Sequence, residues 1–124
     1  TLFRSNLACM VWDEKDWDGD LRAYFQCLIA LRKESMALRR GGFQVLEVED
    51  DGLVYLRDVE DEQIIVVAWR GVVARAASGV SVWRGGIDDG SVWEDVFCGA
   101  RAVVQNGLLP LPELKGAMIW RKVK

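Results

Sequence analysis

The spacing of apolar residues changes its period at Gly41-Gly42, and this change restricts the possible folds more than any other feature of the chain. Before the pair, Leu21, Tyr24, Phe25, Leu28, Ile29 and Leu31 recur at steps of three and four, which is one broad face of an amphipathic helix. Asp18 is placed to cap the first turn, with Trp17 before it able to staple onto the helix. Asp20 near the start and Arg32 and Lys33 near the end complement the helix dipole. Ser35 breaks or re-caps this helix, Met36 to Arg40 form a further short turn, and the two glycines end helical geometry by tolerating positive φ. Residues 1–17 have no clear period and read as a loop leading into the helix.

After the pair the period is two. Residues 43–49 and 53–59 read as a hairpin around Asp51-Gly52. The β-branched run from Ile64 to Trp69 reads as a central strand buried on both faces. Further short strands are expected at 80–84, 92–98, 101–105, 108–111 and 116–122, separated by Gly85-Gly86, Asp89-Gly90, Gly99 and Asn106-Gly107. Pro110 and Pro112 belong at an edge or a strand end, because each lacks a ladder donor. The expected fold is mainly β: an antiparallel sandwich of seven to eight short strands, Greek-key in type, preceded by one amphipathic helix.

Composition narrows the function. The chain has no histidine, which excludes a Ser/His/Asp triad, a histidine-ligated zinc and a histidine general base. Nineteen acids against sixteen bases leave a net charge of -3 and no positive field for nucleic acid or anionic lipid. No apolar run reaches the roughly 20 residues that a membrane span requires, and residues 1–12 lack the layout of a signal peptide. Cys9, Cys27 and Cys98 are odd in number and have neither CxxC nor metal-ligand spacing. They read as small apolar fillers in a reducing, cytoplasmic setting, with no metal and no cofactor.

The residues also carry a resemblance. Met10-Val11-Trp12-Asp13-Glu14, then Trp17-Asp18, then the helix LRAYFQCLIALRKESMALRRGGF resembles the end of the catalytic barrel in glycoside hydrolase family 13, the alpha-amylase family. Within that family it is most similar to the neopullulanase and cyclomaltodextrinase branch. The later segments LVYLRDV, IIVVAWRG, VWEDVFCG and GLLPLPELKGAMIW are similar, in order, to the strands of the C-terminal β-sandwich of such enzymes. Ala8 and Cys9 stand where the family usually has Arg-Pro, Met36 where it has Pro, and Trp69 where a common Asn follows.

The resemblance implies that residues 1–41 are the end of the barrel region and residues 42–124 the C-terminal sandwich. It also implies that the nucleophile, the acid/base and the stabilising acid of the family lie upstream, so that this chain has no catalytic residue. The function it implies is that of an accessory, stabilising domain of an α-glucan hydrolase. The alternatives are an autonomous carbohydrate-binding module, or an orphan structural or oligomerisation protein derived from such an enzyme.

Two groups of residues remain as site candidates. Exposed indoles can stack on the apolar faces of sugars, and Trp83, with Trp93 on a neighbouring strand, is the best-placed pair for a weak α-glucan site. The helix stripe Leu21, Phe25, Leu28 and Leu31 is too large to leave wet, so its expected partner is the missing barrel or another copy of the chain. Two acidic stretches, Glu47 to Asp51 and Asp58 to Glu62, could hold calcium or form a carboxylate pair, but their position at hairpin tips makes solvated turns the simpler reading.

Overall fold

The computed structural model describes residues 9–71, 75–76, 79–111, 113–114 and 116–123. The chain divides into two compact units, Thr1–Glu34 and Ser35–Lys124. In the first, Glu14–Asp16 form a single 3-10 turn whose cap, Asp13, accepts from the Lys15 amide at 3.1 Å. Helix α1 (Gly19–Glu34) begins where Asp18 Oδ1 accepts from the Leu21 amide at 3.0 Å, as the sequence predicts. Trp17 is held by its indole N–H, which donates to the Val11 carbonyl at 2.7 Å, and the Arg22 guanidinium lies 5.1 Å from its ring centroid. No helix among the described residues is long and apolar enough to cross a membrane.

The second unit opens with α2 (Met36–Arg40), capped by Ser35, whose hydroxyl accepts from the Leu38 amide at 3.1 Å. Strands β1 (Gly42–Glu49), β2 (Gly52–Val59) and β3 (Glu62–Trp69) then form an antiparallel meander with two-residue turns at Asp50-Asp51 and Glu60-Asp61. Short strands β4 (Arg75–Ala76), β5 (Val80–Ser81), β6 (Val92–Asp95), β7 (Arg101–Val103), β8 (Leu108–Leu109) and β9 (Glu113–Leu114) precede the long closing strand β10 (Gly116–Lys122). The main sheet has the order β1-β2-β3-β10-β6-β7, and β4-β9 and β5-β8 form separate two-stranded ribbons. Every pairing among the described strands is antiparallel. The fold is thus a mainly antiparallel sandwich preceded by one main helix, with more and shorter strands than the alternation suggests. Pro110 directly follows β8, and Pro112 lies outside the described residues.

The hairpin tip lies one residue earlier than Asp51-Gly52, because Gly52 pairs with Glu49 inside the ladder. Gly52 and Gly71 flank Trp69. A Cβ on Gly52 would lie 2.7 Å from its ring, and one on Gly71 would lie 2.7 Å from the opposite part of the indole. Both glycines are therefore space for Trp69. Gly41 also differs from expectation. Its φ is -67°, so it is needed for a close approach and not for a left-handed turn: a Cβ there would collide with the Ala37 carbonyl oxygen and lie 2.8 Å from that of Asp58.

The core lies between the inner face of the main sheet and the second layer. Leu46, Val54, Leu56, Ile65, Val67, Trp93 and Trp120 from the sheet meet Val80, Val82, Ile87, Val104, Leu109 and Leu111. The outer face carries Ile64, Val66 and Ile119, all buried. At one end of this face α2 packs on β2 and β3. The attachment is made by Glu62 of β3: its Oε1 accepts from the Ser35 hydroxyl and from the Ala37 amide, both at 2.8 Å, and its Oε2 pairs with Arg121 Nε at 3.6 Å. A remote glutamate thus satisfies one of the first-turn amides of α2 that has no partner within the helix, and orients the capping hydroxyl.

Glu62→Ala strips the acceptor from two part-buried donors and is expected to destabilise the Ser35–Lys124 unit by about 2 kcal/mol. Gly41→Ala is expected to cost about 1–3 kcal/mol through its backbone collisions. Urea unfolding followed by tryptophan fluorescence measures both, and a loss below about 0.5 kcal/mol in either variant contradicts the role assigned to that residue.

Candidate functional site

Of the two indoles expected to face solvent, only Trp83 does so. Trp93 is fully buried in the core on β6, and its indole N–H donates to the Ser91 hydroxyl at 3.0 Å. An indole with no open face cannot stack on a sugar, so Trp93 is a core residue. The alternation that placed it beside Trp83 reads parity along a strand and cannot tell which face is covered by a second layer. Trp12 is 79% exposed and does not pack where Trp17 does. Cys9, Cys27 and Cys98 are exposed free thiols and not apolar fillers.

Trp83 is 61% exposed, though for a different reason from strand alternation. β5 ends at Ser81, Val82 is buried, and the chain then turns through a 3-10 turn, Trp83–Gly85, which throws the indole outward. The turn is fixed on several sides. The Gly85 amide donates to the Val82 carbonyl at 3.1 Å, and Gly86, at φ 67°, closes the turn through its own amide to Trp83 at 3.2 Å. From β1 the Gln44 side-chain amide donates to the Arg84 carbonyl at 2.7 Å. The Val82 amide donates to the Gly107 carbonyl at 2.9 Å, and a Cβ on Gly107 would lie 3.0 Å from Trp83 Cβ. Gly107 and Asn106 both have positive φ, and Asp89 locks their turn by accepting from both amides at 2.9 and 3.1 Å.

Beside the indole is an open cleft of about 340 Å³, lined by Val45, Glu47, Val48, Ser81, Trp83 and Arg84. Glu47 reaches it because of a β-bulge. Val45 pairs with Tyr55 and Glu47 with Val54, so Leu46 is the extra residue in the ladder. Leu46 is buried in the core, and Glu47 is turned toward the second layer, where Oε2 accepts from the Ser81 amide at 3.0 Å. The Arg84 guanidinium carbon lies 5.4 Å from the Trp83 ring centroid. The cleft combines a flat apolar face, a carboxylate, a hydroxyl and a cation on one backbone frame.

The acidic stretches are divided by the fold. Asp50-Asp51 and Glu60-Asp61 occupy hairpin tips, as expected of solvated acids, and Arg70 is bonded to the first of these tips. Glu47 and Glu62 instead have specific partners, which composition alone does not distinguish from their solvated neighbours. Among the described residues no group of three or more acids or cysteines is arranged to hold a metal ion. In α1, Leu21 and Phe25 are exposed and Leu28 and Leu31 half-buried.

No family model matches the chain. Over 61 residues, 48% of its length, the chain is 43% identical to a cyclomaltodextrinase from Bacillus sp., of which that stretch is 11%. The chain thus spans about a tenth of the curated relatives it matches. A solved cyclomaltodextrinase structure superposes with a TM-score of 0.75 at 25% identity, covering 92% of this chain and 19% of that one. An alpha-amylase from Geobacillus thermoleovorans in complex with acarbose superposes with a TM-score of 0.76 over 93% of this chain and 25% of that one; its 17% identity bears on the fold alone.

The different surroundings of the two indoles give a direct comparison. Trp93→Ala is expected to cost about 3–5 kcal/mol of stability, as for a fully buried tryptophan. Trp83→Ala is expected to stay within about 0.5 kcal/mol of wild type. Denaturant unfolding of the two variants checks this, and comparable losses would contradict the assignment of Trp83 to the surface.

Proposed function

We propose that the chain is the C-terminal part of a cyclomaltodextrinase-like member of glycoside hydrolase family 13 and serves as that enzyme's non-catalytic accessory and stabilising domain. The parent enzyme hydrolyses α-glucosidic bonds in a barrel upstream of residue 1, and this chain supplies none of the reacting groups. One observation carries the reading: the chain corresponds to about a tenth of its curated relatives and a quarter or less of the solved ones. Its chemistry agrees. A retaining glycosidase needs two carboxyls roughly 5–5.5 Å apart across a sugar, one of them kept protonated. Among the described acids that the fold holds in specific places, Glu47, Glu62, Asp89 and Asp95 each serve separate structural bonds.

In this reading residues 1–41 are the end of the barrel region and residues 42–124 the accessory domain. Helix α2 and the Glu62 attachment then fasten the last turn of the barrel region to the sheet. The stripe of Leu21, Phe25, Leu28 and Leu31 is the face of α1 that the barrel covers, and in the isolated chain a second copy takes its place.

A chimera tests this. The 43%-identical Bacillus cyclomaltodextrinase, with its corresponding C-terminal part replaced by this chain, is expected to be soluble and active, whereas the truncated enzyme is not. Phe25→Asp in the chimera is expected to lower its melting temperature by several degrees. An inactive, insoluble chimera, or release of reducing sugar by the isolated chain that its own point variants abolish, would overturn the proposal.

A further inference from the structure

We propose that the free edge of β1 is a docking surface for a second copy of this chain, whose own β1 pairs antiparallel with it and joins the two main sheets into one. This edge belongs to the Ser35–Lys124 unit and is distinct from the α1 stripe, so the proposal does not depend on the accessory-domain reading. Among the described strands β1 ends the order of the main sheet, with β2 on one side and no strand on the other. It is eight residues long, and an edge strand of that length presents a row of backbone donors and acceptors on which a further strand can form.

The cleft of about 340 Å³ lies along this edge. It is lined by the four consecutive residues Val45 to Val48 and, among the described residues, by none of β2. Gln44 and Glu47 pair with the core residues Leu56 and Val54, and Leu46 is itself in the core, so these three face inward. Phe43, Val45 and Val48 face outward, opposite Arg57, Tyr55 and Leu53. A space that touches side chains from both faces of β1 but not its neighbour runs beside its outer edge. A strand added at the usual spacing of roughly 4.8 Å enters this space, with Trp83 beside its inner face. On the outer face Phe43 is 60% exposed and Val48 70%, and the Phe43 ring lies 4.8 Å from that of Tyr55. An added strand covers this apolar row.

Charge selects a second copy in the antiparallel sense. At the start of β1 stand Arg39 and Arg40, which end α2, and Arg57, whose guanidinium donates to the Gly41 and Gly42 carbonyls at 3.2 and 3.0 Å; the acid paired across from Gly42 is Asp58. At the other end stand Glu47, Glu49, Asp50 and Asp51, with Arg70 bonded to Asp51 at 3.4 Å. A strand that is basic at its start and acidic at its end complements an antiparallel copy of itself at both ends, whereas a parallel copy sets like against like. A two-fold axis perpendicular to the sheet makes this pairing and keeps outer face with outer face, so Phe43 of each copy comes near Val48 of the other. The opposite edge of the sheet, β7, has three residues and starts at Arg101, which is held by Glu94 at 3.0 Å. Growth of β1 onto β7 is therefore disfavoured, and the association closes as a dimer.

Sedimentation of the whole 124-residue chain carrying Phe25→Asp, which takes the α1 stripe out of contention, tests the edge alone. This variant is expected to dimerise reversibly below roughly 1 mM chain. Adding Val48→Lys is expected to leave it monomeric with an unchanged unfolding midpoint, since the side chain replaced is exposed. Arg40→Glu and Glu49→Lys are each expected to weaken the dimer about tenfold, and the two together to recover most of the loss. In a half-labelled sample, nuclear Overhauser contacts between the Phe43 ring of one copy and the Val48 methyls of the other are expected. A monomeric Phe25→Asp chain, a dimer indifferent to Val48→Lys, further weakening when the two charge reversals are combined, or Phe43-to-Phe43 contacts between copies overturns the proposal. The outcome of the chimera experiment bears on the accessory-domain reading and leaves this one untouched.

Discussion

β3 is apolar on both faces, and a strand of that kind is stable only when both faces are covered. Most of the second unit can be understood as the two covers. On the inner side Ile65 and Val67 meet the second layer through Val80, Val82 and Leu109. On the outer side Ile64 is closed off where α2 is latched to the sheet by Glu62. The placement of β3 between β2 and β10 follows, because a strand with no polar face cannot be an edge.

Glu62 links local and tertiary structure. Helix α2 has five residues, too few to be stable alone, and its first donors have no acidic partner within the helix. One carboxylate from β3 takes the Ser35 hydroxyl and the Ala37 amide, so the helix exists because the strand is there. The Arg121 pair on the other oxygen joins β10 to the same point. Ser35 and Ala37 are both completely buried, which raises the cost of leaving either donor unpaired.

Two tryptophans are placed in opposite ways. Trp69 lies between Gly52 and Gly71, which leave room for its ring. Trp83 is instead carried outward on a turn braced by Gln44, Gly107 and Asp89. The glycines at these places are determined by contacts, since Gly52 and Gly71 make room for a ring and Gly107 makes room for Trp83 Cβ as well as a left-handed turn. A cleft with a carboxylate, a hydroxyl, a guanidinium and an indole results from this bracing and from the bulge at Leu46.

Periodicity and punctuation determined much of the molecule by themselves. The cap at Asp18, the break at Ser35, the start of the sheet at Gly42 and the central run Ile64 to Val67 all follow from local rules of spacing, capping and β-branching. The resemblance in the helix and strand motifs was equally legible, because those residues are adjacent in sequence. What only the tertiary structure decided are questions of which face is covered and by what. Trp83 and Trp93 are alike in sequence terms, but a second layer lies over one and solvent over the other. Glu62 and Glu60 are alike in composition, but only Glu62 meets α2, and the bulge that turns Glu47 toward Trp83 has no local signature in β1. Each depends on contacts between residues some 25 to 40 positions apart, which no local pattern encodes.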